Sequence, residues 1–227
     1  MVQAPNLMRH GSSTEIFHRY LSDQGIDIPY DLLVEVYVPV AHAQQIKSVE
    51  EGYTEPDYRQ RLETVFMKLE ISEHVEHSYG AWKHYLEMWP EQTEYFPGVP
   101  EMLGELKKHY KLGVITNYMD GPTCRKVFAK LGFDDIFDSL VVSHELGYMK
   151  PAKLLFDTAM KETGSAPGNC VMVGDTYSAD VVGGKMAGMS TVLVDLYDNQ
   201  RDHYHDCSMV IRDINEFPEA LRKLKSR

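Results

Sequence analysis

The sequence has few cysteines and no pattern among them. Cys124, Cys170 and Cys207 are the three present. They are widely spaced, with no CxxC pair and no even framework, which fits a reducing compartment. No apolar run approaches the length that spans a bilayer, and no stretch has the make-up of a secretory leader. The expected location is therefore cytoplasmic. Positive charge is scarce: 23 Lys and Arg stand against 34 Asp and Glu, a formal net charge of -11. Nucleic acid and anionic membranes are poor partners for such a chain, and a phosphate-bearing small substrate would need a local cation. Internal repeats and low-complexity tracts are absent too. One more shortage is local: no aspartate precedes Asp23, and the only acid before it is Glu15.

What is present is ample core material. The chain has 227 residues, 43% of them apolar, enough for one large or two small domains. Ser12-Ser13-Thr14 offers N-caps for a helix with Glu15 in its first turn, Phe17, Tyr20 and Leu21 on one face, and Gly25 as its stop. A second apolar run, Leu32 to Val40, is broken by Pro39. Leu62, Val65, Phe66 and Leu69 recur at helical spacing, as do Trp82, Tyr85, Leu86 and Trp89, ended by Pro90. The segment 12–92 thus reads as all-helical, and its aromatic residues read as ordinary helix packing.

The patterning changes at Tyr95-Phe-Pro-Gly-Val-Pro100, a turn-rich linker. Strands and helices then alternate. Strands are expected at Leu112–Thr116, Leu140–Ser143, Cys170–Val173, Thr191–Val194 and Met209–Ile211. Helices are expected at Pro122–Leu131, Pro151–Glu162, around Asp180–Met189 and at Phe217–Lys225. Alternation of this kind predicts an α/β core with a parallel sheet covered on both faces.

The chain is organised around Cys170-Val-Met-Val-Gly-Asp-Thr-Tyr-Ser-Ala-Asp180. A buried strand stops at a Gly-Asp turn and re-enters a helix whose small residues, Gly183, Gly184 and Ala187, mark a close-packed face. A carboxylate at the carboxyl lip of a parallel strand stands where open α/β sheets place ligands. Two acids on such a turn, Asp175 and Asp180, suit an oxygen-seeking cation such as magnesium; the plain alternative is a turn cap and a helix opener. Thr116-Asn117, at another strand end, can hold phosphate oxygens. Lys150, before a helix start, can neutralise a phosphoryl group. His203-Tyr-His205-Asp-Cys207 could set alternating metal ligands on one side of an extended segment, but reads better as a solvated loop.

Three motifs in this order, GVITN at 113–117, GYMKP at 147–151 and VMVGDTYSADVVGGKMAGM at 171–189, resemble the haloacid dehalogenase superfamily of phosphatases. The resemblance is close over about residues 95–213. It implies a Rossmann-like parallel-sheet core at 93–227 and an inserted all-helical cap at 12–92. By the same resemblance Thr116 would bind the transferred phosphate with Asn117 beside it, and Lys150 would be the motif lysine. Asp175 would ligate magnesium, and Asp180 would hold the lysine or a metal water. Lys150 and Asp180 would be this chain's part of the catalytic set. The Gly-Asp before the metal position looks more like the phosphatases than the true dehalogenases, which need no metal; a 2-haloacid dehalogenase-like hydrolase is a further alternative. The cofactor implied is magnesium and the partner a small phosphorylated substrate. Which substrate, and the oligomeric state, are not implied.

One departure stands out. The family's first motif is a strand ending Asp-x-Asp-Gly-Thr, whose leading aspartate is the nucleophile and whose second is the general acid. With no aspartate before Asp23, that motif has no match here. The best placement puts Met1-Val2 just after it, leaving 1–11 as a remnant of the segment beyond the missing motif. In the family that strand lies between those of Thr116 and Asp175, so its loss would leave two buried edges unpaired. This leaves two expectations: a magnesium-dependent phosphate monoester hydrolase completed by an upstream segment, or a catalytically inactive relative that keeps the phosphate pocket.

Overall fold

The computed structural model of the chain describes residues 8, 9 and 12–226. They form two compact units, one running from residue 12 to Thr93, the other made of Met8–Arg9 and everything from Glu94 on.

The first unit is helical, as its spacing dictates: α1 (Ser13–Asp23), α2 (Tyr30–Glu50), α3 (Tyr58–Lys68) and α4 (His74–Glu91). Asp57 starts α3 by accepting the Gln60 N–H at 2.9 Å. Buried residues one turn apart meet in the middle: Phe17 and Leu21 of α1, Leu62, Val65 and Phe66 of α3, Ala81 and Tyr85 of α4. Arg61 is buried among them because its charge is used locally. Its Nε donates to Gln44 Oε1 at 2.8 Å, and its guanidinium lies 4.2 Å from the centre of the Tyr58 ring.

The prolines here differ from expectation. Pro39 does not break its run; α2 continues through it. A proline in a helix strands the carbonyl four residues back. Pro39 and Glu35 are both exposed, so water can satisfy that carbonyl. Pro90 likewise lies inside α4, which ends one residue later.

In the second unit, β1 (Met8–Arg9) pairs antiparallel with β2 (Glu94–Tyr95). There follow α5 (Val99–Lys107), β3 (Gly113–Thr116), α6 (Gly121–Lys130), β4 (Ser139–Val142), α7 (Ser143–Leu146), α8 (Lys153–Thr163), β5 (Val171–Gly174), α9 (Val182–Met186), β6 (Ser190–Val194), β7 (Met209–Ile211) and α10 (Phe217–Lys225). Most differ from the sequence expectation by one or two residues at an end. The helix expected around Asp180–Met189 differs more. A single π-helical turn, Tyr177–Val181, comes first and the α-helix begins only at Val182. The wider turn lets the Asp180 carboxylate reach back to the Thr176 N–H at 3.0 Å.

The core is α/β and Rossmann-like, and its sheet comes in two pieces. β3 pairs parallel with β4, Thr116 opposite Val142. β5, β6 and β7 form a second parallel sheet, with Gly174 opposite Leu193 and Val194 opposite Ile211. Among the described residues no strand joins β3 to β5. Side chains join them instead: Ile115 and Val141 of the first sheet pack with Leu155, Phe156 and Met160 of α8 and with Met172 of β5. The small face of α9 fits close against this cluster. A Cβ on Gly184 would stand 2.8 Å from Met172 Cβ, and one on Gly183 would strike the Phe156 ring.

Candidate active site

Apolar strands that stop at polar residues put those residues at the carboxyl end of the sheet. Thr116 ends β3, and Asp175 follows β5 directly. Lys150 ties the two sheets together there. Its side chain is 3% exposed, and Nζ donates to the Ile115 carbonyl at 3.0 Å on the β3 side. On the β5 side it faces Asp180 Oδ1 at 3.1 Å. That oxygen makes no aligned hydrogen bond, so the contact is chiefly one of charge. Asp180 Oδ2 accepts the Thr176 N–H. Burial pulls the Lys150 ammonium below its usual range, and Asp180 and then Asp175 oppose that pull.

Asp175 is half-buried. Burial, and then the neighbouring Asp180 charge, push its carboxyl above the ordinary range, with Lys150 acting against them. Its Oδ1 has a long contact of 3.4 Å from the Thr176 hydroxyl. A raised carboxyl between a like charge and little local donation has capacity for a cation. Asp180 Oδ1 faces the Lys150 charge and Oδ2 takes the Thr176 N–H, so Asp175 is the candidate carboxylate for a cation. Among the described residues no group of three His, Cys, Asp or Glu could hold a metal by itself. Magnesium fits such a position only with water and phosphate filling most of its octahedron.

Asn117 has a use that the sequence reading did not include. Its Oδ1 accepts the Lys150 N–H at 2.7 Å, and its Nδ2 contacts the Lys150 carbonyl at 3.3 Å. The amide thus clamps the backbone that carries the lysine, across a peptide bond to Pro151 that is cis. Thr116 is half-buried at the strand end, its backbone paired on the β4 side.

Three further residues escaped the sequence reading. Ser143 is fully buried, and its hydroxyl accepts the Tyr118 N–H at 3.0 Å, fixing the loop after Thr116-Asn117. Gln200 accepts the Tyr177 N–H at 2.9 Å and donates to the Asp175 carbonyl at 2.7 Å, which fastens the turn after β5. Asp195, 1% exposed, accepts N–H groups of Asn199 and Gln200 and the Tyr204 hydroxyl. An acid at the carboxyl end of an apolar strand was a readable signal for Asp195; Ser143 and Gln200 carried none.

His203-Tyr-His205-Asp-Cys207 is not an extended ligand row. Residues Arg201–Asp206 coil as a 3₁₀ turn. The His203 ring stacks on Tyr177 with centroids 3.8 Å apart. Asp206 pairs with Lys185 at 2.7 Å and accepts the Tyr177 hydroxyl at 2.6 Å, and these, Lys185 first, hold its carboxyl down to about 2. The Cys207 thiol is pushed up to about 11, by burial and then by Asp206.

The strand end and the lysine-acid pair leave no room beside Gly174. A Cβ there would lie 2.6 Å from Asp180 Cβ and nearer still to its carboxylate. Gly174→Ala is expected to cost about 1–3 kcal/mol by overpacking, read as a lower urea midpoint at unchanged slope.

Comparison with known proteins identifies the family. The curated relatives include a glyceraldehyde 3-phosphate phosphatase from Methanothermobacter thermautotrophicus, 37% identical over 132 residues, 56% of this chain and 58% of the relative. A pyrimidine 5'-nucleotidase from Escherichia coli is 30% identical over 128 residues, 56% of each protein. The chain thus spans little more than half the length of either. Solved structures with the same fold include a HAD hydrolase from Bacillus subtilis bound to magnesium, at TM-score 0.74 and 18% identity, covering 97% of this chain and 96% of that one. A 2-haloacid dehalogenase from Pseudomonas syringae gives 0.72 and 21%, covering 98% and 96%. Residues 29–194, most of the helical unit together with the strands of Thr116 and Asp175, match the haloacid dehalogenase-like hydrolase family, and the chain belongs to it.

Proposed function

We propose that this chain provides the phosphate-holding and magnesium-holding part of a phosphate monoester hydrolase, and that the carboxylate for the covalent step comes from a strand between β3 and β5. The observation that carries this reading is the buried Lys150, which bridges the Ile115 carbonyl at the end of β3 and Asp180 beyond β5, with Asp175 adjacent. A buried ammonium facing two carboxylates and a strand end suits a dianionic group that arrives with a cation.

In this reading Thr116 donates its hydroxyl to a phosphate oxygen. Lys150 neutralises charge on the phosphoryl group, held in place by Asp180 and by the Asn117 clamp. Asp175 holds magnesium, which would supply Lewis-acid polarisation of the phosphate. The helical unit serves as the cap, and the substrate is a small phosphorylated molecule. Phosphatases among the relatives support the class. A second reading, a phosphate-binding relative without turnover, is favoured by one observation: no strand with an acid stands between β3 and β5 among the described residues.

Calorimetry tests the metal half. With Asp175 as the one candidate cation ligand at this site among the described residues, magnesium alone is expected to bind weakly, with no tight phase, and Asp175→Asn is expected to remove what binding there is. Tight binding abolished by Asp175→Asn would show that a second acid completes the site. Tight binding that Asp175→Asn leaves intact would overturn the assignment of Asp175.

A further inference from the structure

We infer that Leu196 and Tyr197 form the wall that receives the uncharged, aromatic or heteroaromatic part of the phosphate ester. The inference rests on the phosphatase reading and adds a substrate class to it.

The loop after β6 is firmly mounted. Asp195 takes the N–H groups of Asn199 at 3.2 Å and Gln200 at 3.1 Å, together with the Tyr204 hydroxyl at 2.6 Å. Gln200 then bolts the loop to the backbone of Asp175 and Tyr177. Asp195 is turned inward, and the loop presents its two apolar residues outward: Leu196 is 40% exposed and Tyr197 83%. An isolated exposed apolar residue needs no explanation. Two adjacent ones, on a loop fastened to a candidate metal-binding turn, contribute little to folding and are placed to meet a ligand.

A cavity of about 360 Å³ lies between this wall and the turn, its lining including Asp175, Thr176, Asp195, Leu196 and Tyr197. That volume is within the small-molecule range. No Lys, Arg or His lines it, while two aspartates do. An anionic group is therefore disfavoured inside it. The phosphate belongs on the Lys150 side of Asp175, and the neutral remainder of the ester extends along Tyr197. A phenol ring offers a flat ring an offset-stacked or edge-on contact.

The test uses the full chain with magnesium and follows phenyl phosphate and inorganic phosphate separately by ³¹P line broadening. Phenyl phosphate is expected to bind about three- to tenfold more tightly than phosphate. Tyr197→Ala should erase that preference and leave phosphate binding unchanged, while Tyr197→Phe should keep it. Equal affinities in the wild type, or a preference that survives Tyr197→Ala, would overturn the inference and leave the phosphatase reading standing. Loss of both ligands in Tyr197→Ala would show that the loop acts through Asp175 and would also overturn it. If the wild-type chain binds neither ligand, the phosphatase reading fails and this inference with it.

Discussion

Purified as the 227-residue chain, the protein is expected to release phosphate from phenyl phosphate no faster than magnesium-containing buffer. Positioning a phosphoryl group and attacking it are separate tasks. Lys150 and Thr116 can perform the first, because electrostatic placement needs no nucleophile. For the second, each candidate acid at the site is already engaged. Asp180 is held by Lys150 and the Thr176 N–H. Asp175 is expected to serve the cation. Fusing a strand that ends Asp-x-Asp-Gly-Thr ahead of Met1 should restore hydrolysis by a factor on the order of 10⁴ or more, the scale on which removal of a nucleophile is felt. Changing the first restored aspartate to asparagine should abolish it again. The measurement compares the short, extended and Asp→Asn proteins side by side. Ready turnover by the short chain, sensitive to Asp175→Asn, would defeat the argument. An extended protein that folds, binds phosphate and remains inactive would favour the non-catalytic reading.

The second large effect concerns stability. Lys150→Met should destabilise the core unit by about 3–5 kcal/mol, the usual consequence of leaving one member of a buried ion pair alone. At the size of this protein, that lowers the melting temperature by roughly 6–20 °C. Asp180 would keep only the Thr176 N–H in a site where it is 1% exposed. The double substitution Lys150→Met with Asp180→Leu should recover most of the loss, because a well-packed apolar pair of similar volume can replace a buried ionic one. Differential scanning calorimetry of the two variants separates the outcomes. A double variant no more stable than the single one would mean that the pair is needed to shape the strand ends, and not only to neutralise each other.

Much of this architecture was readable in advance, and the exceptions share a cause. Strand and helix order follows from local pattern: Val114–Ile115, Met172–Val173 and Val192–Val194 are apolar runs that end at turn residues, and the structure buries each of them. Lys150, Asp175 and Asp180 could be picked out because charged residues at strand and helix ends are unusual company for such runs. The π-turn at Tyr177–Val181 could not, because a helix-opening acid after a Gly-Asp turn does not announce that its carboxylate will reach back to the Thr176 N–H. Ser143 and Gln200 were invisible for a similar reason. Each acts by hydrogen bonds to backbone far away in sequence, and neither residue type announces that. Pro39 misled because a proline's cost depends on whether the stranded carbonyl meets water, which only exposure decides.

The apolar cluster around α8 has a kinetic consequence. Its members, from Ile115 to Met189, lie within one uninterrupted stretch of chain, and α8, which packs on both β3 and β4, follows β4 after a short connection. Short loops close quickly and with little entropy. The two half-sheets can therefore be pinned together by side chains within this stretch alone, before any backbone ladder links them. A strand that inserts between β3 and β5 would meet a groove already shaped by α8, and its docking would be a late event in folding. The nucleophile-bearing segment would then be the last part to become ordered, and catalytic competence would appear only after the rest of the core had formed.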